Sequence, residues 1–418
     1  MTTLLAIGDM HLGRLPAAIP DGLGSRRHEL GPEAAWSRSV AEAIEREVDA
    51  VLLAGDVVER HRDFFVAYGQ LKAGVEQLAE AGIEVIAVAG NHDTHVLPRL
   101  ASEISSLHLL GAGGHWQQHP VGDITVIGWS FPQSRVSFSP LDSFPRLDPK
   151  KVLVGLLHCD RDQTDSPYAP VNSADLTEAS VNAWLLGHIH QPDDLSAARP
   201  IGYLGSVNAL RASETGARGP WLVEIEDGKV MMTHLPLAPL RFETLSVDCA
   251  EIEDSEALSG AILSATRERI VEWQQGDYLP DALGLRVELV GQCAISEHLP
   301  QAAESLLSQS QPWTEYGVSC FLQRIDTRTI PRLDLNRLAR QSDPCGLLAR
   351  HLLALDEPGS EQWQQLVEMA RPGMETVTGG REFRELNRSL SDQDIATELA
   401  RAGRLALSQL IAQRERSR

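Results

Sequence analysis

Seven residues with metal-binding side chains, Asp9, His11, Asp56, Asn91, His158, His188 and His190, follow or close apolar runs in the first half of the chain. Asp9 and His11 lie two apart, so on an extended exit from a strand both side chains point the same way and can hold one cation. Asp56 brings a carboxylate whose two oxygens can bridge two cations. Asn91 brings a neutral amide oxygen, His158 and His188 bring imidazole nitrogens, and His190 repeats the two-residue spacing of the first motif. Mixed carboxylate, amide and imidazole donors suit Mn²⁺, Fe²⁺ or Zn²⁺ better than Ca²⁺ or a thiolate-bound metal. Two such ions side by side polarise a phosphoryl oxygen and deprotonate a shared water for in-line attack, which is phosphoester hydrolysis. His92 is left over from coordination. Beside the site it could stabilise developing charge or protonate the leaving alkoxide, with Asp93 behind it fixing its tautomer.

Each piece alone has a blander explanation. Gly-Asp, Asn-His-Asp or Gly-His-x-His singly reads as a turn or a solvated polar group, Asp9 or Asp56 as a helix N-cap, and His158 as an ordinary strand-end histidine. Their joint occurrence, in order and each at the end of an apolar run, favours the metal reading. Other histidines, among them His61, His108, His119 and His234, lack that context and read as structural or solvent-facing.

The elements that must position these residues follow from the apolar runs at 4–7, 50–54, 85–89, 152–157 and 183–186. Their length and branched content predict fully buried strands, so every donor sits at a strand's carboxyl end, the edge where α/β sheets bind ligands. Between them Phe64, Tyr68, Leu71, Val75 and Leu78 share a helical face, with Asp63 as N-cap and Gly82 as stop. Trp36, Val40 and Ile44 mark a second helix that Pro32 opens. This strand and helix alternation predicts an α/β domain. Residues 130–149, rich in Ser and Pro, read as a long irregular loop. Strands are expected at 201–204, 221–225, 230–235 and 242–247, antiparallel, with Asp227-Gly228 as a hairpin turn. Helix 256–273, strand 285–290, helix 299–308 and strand 318–325 follow as a small α+β region. Beyond Pro331 the pattern is helical, and Ser391 with Asp394 forms a capping box.

Apolar residues make up 43% of the 418-residue chain, enough for two or three domains. The first apolar run is short and lacks a basic flank, and no later stretch is long and uncharged enough to span a bilayer, so a soluble cytoplasmic protein is expected. Its five cysteines, Cys159, Cys249, Cys293, Cys320 and Cys345, never form a Cys-x-x-Cys pair and read as buried thiols. The net charge is -21, from 37 basic and 58 acidic residues. Such a balance repels a polyanion unless a cationic strip or a metal site overrides it locally.

The motifs in this order resemble those of the calcineurin-like metallophosphoesterases. Within that superfamily the chain is similar to the SbcD-type DNA repair nucleases, especially the shorter YhaO-like branch. Pro167-Tyr168-Ala169-Pro170, Ala174-Asp175-Leu176 and the run from Trp184 to Pro192 carry this likeness, as do Gly205-Ser206, Arg211 and Glu214 to Gly219. The resemblance implies a sandwich of mixed β-sheets flanked by helices over 1–248, a small α+β DNA-capping domain over 249–330, and a helical region over 331–418. It further implies a Mn²⁺-dependent nuclease acting on DNA ends as a homodimer with an SbcC-like coiled-coil ATPase. One metal would take Asp9, His11, Asp56 and His190, the other Asp56, Asn91, His158 and His188, with His92 catalytic. Glu59 departs from the His or Asp that relatives often carry after the second motif, and Ser206 to Ala212 diverges from the branch's usual run. Arg267, Arg269, Arg286 and Arg324 are candidates for steering DNA, set against the plainer reading of a solvated face. The last helix, with Ile395, Leu399, Ala402, Leu405 and Leu410 among Arg401, Arg404, Arg414 and Arg416, is a candidate docking segment for the ATPase. A small-molecule phosphoesterase and a non-enzymatic scaffold are the alternatives.

Overall fold

The motif-bearing strands are buried on both faces, and their side chains alternate between two cores. Leu4 and Ala6 of β1 (Thr2–Ile7), Leu52 and Ala54 of β2 (Ala50–Ala54), and Ile86 and Val88 of β3 (Glu84–Val88) enter one core; their neighbours Leu5, Ile7, Val51, Leu53, Val85 and Ala87 enter another. Strands covered on both sides need apolar residues at every position, which is why they read as unbroken runs. The computed structural model describes residues 1–147, 151–276, 278–378 and 390–416.

Two sheets result. The first contains β1 to β3, β4 (Leu107–Leu109), β10 (Trp221–Glu226) and β11 (Lys229–His234), in the order β11-β10-β1-β2-β3-β4. The second is β5-β6-β7-β8-β9, from β5 (Gln117–Val121), β6 (Ile124–Trp129), β7 (Val152–His158), β8 (Ala183–Gly187) and β9 (Ile201–Tyr203). They share a core in which Leu4, Leu52 and Ile86 of the first join Val126, Val154, Leu156 and Leu185 of the second. β1 to β4 run parallel, as do β6 to β9, so the sandwich is a mixed α/β fold with its motif-bearing strand ends together. The expected antiparallel finish holds for β10 and β11 and fails for β9, which pairs parallel with β8.

Helices cover the outer faces. Helix α1 (Pro32–Glu45) begins at the expected proline, and its Trp36 and Val40 pack with Leu71, Val75 and Leu78 of α2 (Phe64–Glu80) on the first sheet. Asp63 does not cap α2: its side chain makes no capping hydrogen bond, because a 3₁₀ turn, His61–Asp63, leads straight into the helix. On the second sheet, Leu153, Leu157, Trp184 and Leu186 pack with Leu176 and Phe131, and Trp184 Nε1 donates to the Leu176 carbonyl at 3.0 Å. Asp227 (φ 50°) and Gly228 (φ 76°) form the turn between β10 and β11, both left-handed as a type I′ hairpin requires. The stretch 130–147 is irregular apart from the short 3₁₀ turn Pro140–Ser143; the last two residues of the predicted loop lie outside the described residues.

The chain divides into two units. The first comprises Met1–Leu245, Thr266–Arg286 and Gln309–Arg324, the second Ser246–Ala265, Val287–Ser308 and Ile325–Arg418. Helices Ser255–Trp273 and Leu299–Gln309 alternate with strands Ala282–Val290 and Val318–Thr327 as expected. In the second unit, helices Leu335–Ala339, Pro344–Leu355, Glu361–Thr378 and Asp392–Arg416 enclose Leu338, Leu352, Trp363, Val367, Ile395 and Leu407. The last helix opens with the predicted capping box, Asp394 N–H donating to Ser391 Oγ at 3.1 Å and Ser391 N–H to Asp394 Oδ2 at 3.0 Å. Its Ile395 faces the unit's own core, and its Leu405 and Leu410 are exposed. All five cysteines are free and buried. Among the described residues no helix is long and apolar enough to cross a membrane.

The second sheet has no spare room where β7 and β8 meet: a Cβ on Gly155 would run into the Trp184 ring. Gly155→Ala is predicted to lower unfolding stability by about 1–3 kcal/mol through overpacking. A urea midpoint equal to that of the parent chain would show that the ring has room to move.

Candidate metal centre

All seven candidate donors come together where the two sheets present their carboxyl ends. Asp9, His11, Asp56, Asn91 and His92 leave β1, β2 and β3; His158 closes β7, and His188 and His190 follow β8. Asp9 (φ 42°), His11 (φ 51°), Asp56 (φ 47°) and His188 (φ 108°) have left-handed backbone, a conformation that bulky residues avoid. It reverses the chain within one or two residues and turns the side chains inward. Such conformations persist only where the surroundings enforce them. Here His11 N–H donates to the Asp56 carbonyl at 2.8 Å, and His188 N–H to the Asp9 carboxylate at 3.0 and 3.1 Å. The motif glycines have an equally local cause. A Cβ at Gly90 would collide with Asp56 Oδ1, and one at Gly187 with the Ala54 carbonyl.

Asp56 is the hub. Its Oδ2 lies 3.4 Å from His158 Nε2, 3.9 Å from His11 Nε2 and 4.0 Å from His92 Nε2, and its Oδ1 accepts the His92 N–H at 2.9 Å. Three groups of ligand atoms, each within 4.8 Å of one another, meet here: Asp9, His11 and His190; Asp9, Asp56 and His158; and His11, Glu59 and His92. Asn91 Oδ1 completes the second side, 3.0 Å from His158 Nε2 and 3.2 Å from His188 Nδ1.

Each imidazole has an acceptor on its outer nitrogen. Glu59 Oε2 stands 2.8 Å from His11 Nδ1, Glu214 Oε1 2.9 Å from His190 Nδ1, Asp160 Oδ1 3.3 Å from His188 Nε2, and the Ala54 carbonyl 3.0 Å from His158 Nδ1. An acceptor there holds a proton on the outer nitrogen and leaves the inner one as a lone pair. His11 Nε2 and His190 Nε2 lie 3.1 Å apart, a separation that either a hydrogen bond between them or a shared cation accounts for. The donor set therefore fits divalent metal. Glu59, noted in the sequence only as a departure, and Glu214 and Asp160, not singled out individually, are supporting residues that the structure adds. Arg218, buried, donates to the His190 carbonyl and to Gln191 Oε1, and so fixes the last loop.

Burial opposes ionisation of Asp56, yet His158, His11 and His92 hold its carboxyl well below the ordinary range. Burial also works against the His158 imidazolium, and Asp56 overrides it, raising that group to about 9. Burial lifts Asp93 to about 7, helped by the Asp56 charge. Cys159 shares the outer core of the second sheet, and burial pushes its thiol up.

His92 is the most exposed of these histidines, its side chain 40% accessible. Its expected partner is corrected. Asp93 does not orient it; His92 Nδ1 lies 3.0 Å from the Glu59 carbonyl instead. The Asp93 carboxylate, fully buried, accepts backbone N–H groups from Gly90 at 2.8 Å and from Val57 and Val58 at 2.7 and 3.3 Å. It ties the loop after β3 to the loop after β2. Of the candidate DNA-steering arginines, Arg267 is paired with Glu315 at 3.0 Å, Arg269 with Glu272 at 3.2 Å, and Arg286 donates to the Ala212 carbonyl at 3.2 Å.

Asp93→Ala is predicted to cost about 1–3 kcal/mol for each backbone donor left unpaired. Chemical denaturation of the full chain measures it. A neutral substitution would show that the loops are held by other means.

Residues 2–192 match the family model described as calcineurin-like phosphoesterase. A Bacillus subtilis protein described as the uncharacterized metallophosphoesterase YhaO is 27% identical over 233 residues, 52% of this chain and 55% of that protein. The DNA double-strand break repair protein Mre11 of Haloferax volcanii is 29% identical over 307 residues, 70% of this chain and 62% of that one. Its Aeropyrum pernix counterpart is 29% identical over 242 residues, 52% of this chain and 56% of that one. The chain thus spans between 55% and 62% of the length of these curated relatives. Residues 2–192 thus form a calcineurin-like metallophosphoesterase domain.

Proposed function

We propose that this protein is a two-metal phosphodiesterase that hydrolyses DNA. The observation that carries the hydrolytic reading is the convergence of six further donors on Asp56, the four imidazoles among them each with an oxygen beside its outer nitrogen. The DNA reading is supported by the relatives named as DNA double-strand break repair proteins. In this assignment Asp9, His11, Asp56 and His190 hold one ion, and Asp56, Asn91, His158 and His188 the other. A pair of divalent ions held there, Mn²⁺ by resemblance and Fe²⁺ or Zn²⁺ by donor chemistry, would supply Lewis-acid polarisation of the phosphoryl oxygen and a lowered pKa for the attacking water.

The chain's own residues do the rest. His92 donates its Nδ1–H to the Glu59 carbonyl, and in its imidazolium form it would deliver the Nε2 proton to the leaving alkoxide and become neutral imidazole. Asp93 positions His92 indirectly, by pinning both flanking loops. The same reading assigns residues 1–248 to catalysis, 249–330 to capping DNA and 331–418 to docking an SbcC-like ATPase, in a cytoplasmic homodimer.

The test uses the metal-stripped full chain, reloaded with Mn²⁺, on end-labelled single- and double-stranded DNA beside bis-p-nitrophenyl phosphate. DNA shortening that requires Mn²⁺ is expected. His92→Ala is predicted to lower kcat about 10²–10⁴-fold while metal content stays unchanged; loss of metal along with activity would instead make it a ligand. Asp56→Ala is predicted to empty both positions, read by metal analysis of the purified protein, and full occupancy would overturn its bridging role. Cleavage of the small diester with DNA left intact would move the assignment to a small-molecule phosphoesterase.

A further inference from the structure

Among the described residues outside this centre, Glu84, His108 and His119 form another group whose ligand atoms all lie within 4.8 Å of one another. His119 Nε2 stands 2.6 Å from Glu84 Oε2, and the His108 and His119 rings lie 4.7 Å apart at 32°. Glu84 opens β3, His108 is the middle residue of β4, and His119 is the middle residue of β5. β4 is the terminal strand of the first sheet and β5 the terminal strand of the second. The three side chains therefore meet where the sandwich is open, spanned by the turn that carries the chain from one sheet to the other.

We propose that Glu84, His108 and His119 form a zinc site that clips the two sheets together at this edge. An ion pair accounts for Glu84 and His119 alone; it gives no reason for a second imidazole beside them. Two imidazoles and one carboxylate suit Zn²⁺, and they leave a coordination position for water on the exposed side. The all-oxygen shells that Ca²⁺ and Mg²⁺ prefer are absent from this group. An ion here ties together two terminal strands that otherwise have unpaired outer edges, a recurrent weak point of sheets. With three protein ligands the site is open rather than closed, and its part in joining the two edges is read from its place between terminal strands. Glu84 begins β3 whereas Asn91 follows its far end, so extended backbone puts the site up to roughly 20 Å from the phosphoesterase centre. His108 and His119, read from sequence as structural or solvent-facing, thereby acquire a ligand.

The metal-stripped full chain is titrated with Zn²⁺ against a chromophoric chelator, beside Glu84→Gln and His108→Ala/His119→Ala. Glu84→Gln keeps the shape and a hydrogen bond to His119, so it preserves the fold if the double variant does not. The parent chain is expected to take up one more equivalent of Zn²⁺ than either variant and to show a larger Zn²⁺-induced rise in Tm. Equal stoichiometry in the parent chain and Glu84→Gln overturns the site. Because the readout is metal uptake, failure here leaves the phosphodiesterase reading intact, and the variants are expected to keep phosphodiesterase activity.

Discussion

A buried carboxylate governs this structure. Asp56 is 2% exposed, and a charge withdrawn from water that far survives only with compensation on every side. His158, His11 and His92 surround one oxygen and a backbone N–H takes the other. Each of those groups is then constrained in turn. His11 is held by Glu59, which Arg14 also contacts at 3.3 Å, and His158 is held by the Ala54 carbonyl two residues before Asp56 itself. Burial opposes the Glu59 charge, but His11 and Arg14 bring its carboxyl down to about 2. Each member of this network leans on another, and removing any one strands its neighbour.

Only a rigid frame can hold so many like donors close together, and the two-sheet sandwich supplies it. Three strands of the first sheet and two of the second end at the same level, each continuing into the site within a few residues. Because the strands are buried on both faces, a one-residue slip of register would exchange the two cores throughout. Register is thus specified by packing, and the donors inherit that precision. The positive φ angles at Asp9, His11, Asp56 and His188 are the local strain that the frame sustains.

What sequence could reveal followed from how local each signal is. The donors were legible because each motif lies beside the strand that positions it, and Asp227-Gly228 because a turn is defined by its own residues. The outer partners were not. Glu214 reaches His190 across 24 positions, and Glu59 reaches His11 across 48, along routes that only the assembled sheets define. Asp93 was misread for a related reason: adjacency to His92 suggested contact, whereas the turn directs its carboxylate toward backbone donors of another loop. β5 escaped notice because Gln117-Gln118-His119-Pro120-Val121 is a largely polar edge strand with no apolar run to announce it. The parallel pairing of β9 was equally hidden, since strand direction depends on the path of the connection.

Part of the chain's charge of -21 is concentrated at the same centre. Asp9, Asp56, Glu59, Asp160 and Glu214 crowd one crevice, which without cations is among the worst places on the molecule for a phosphate. Bound divalent ions are the largest local charges in such a site and reverse its sign. Arg267 and Arg269 meanwhile sit in ion pairs that cancel much of their reach. At this centre, attraction of a phosphate group would therefore depend on bound cations. By linkage, any gain in phosphate affinity on metal loading is matched by an equal gain in metal affinity on phosphate binding.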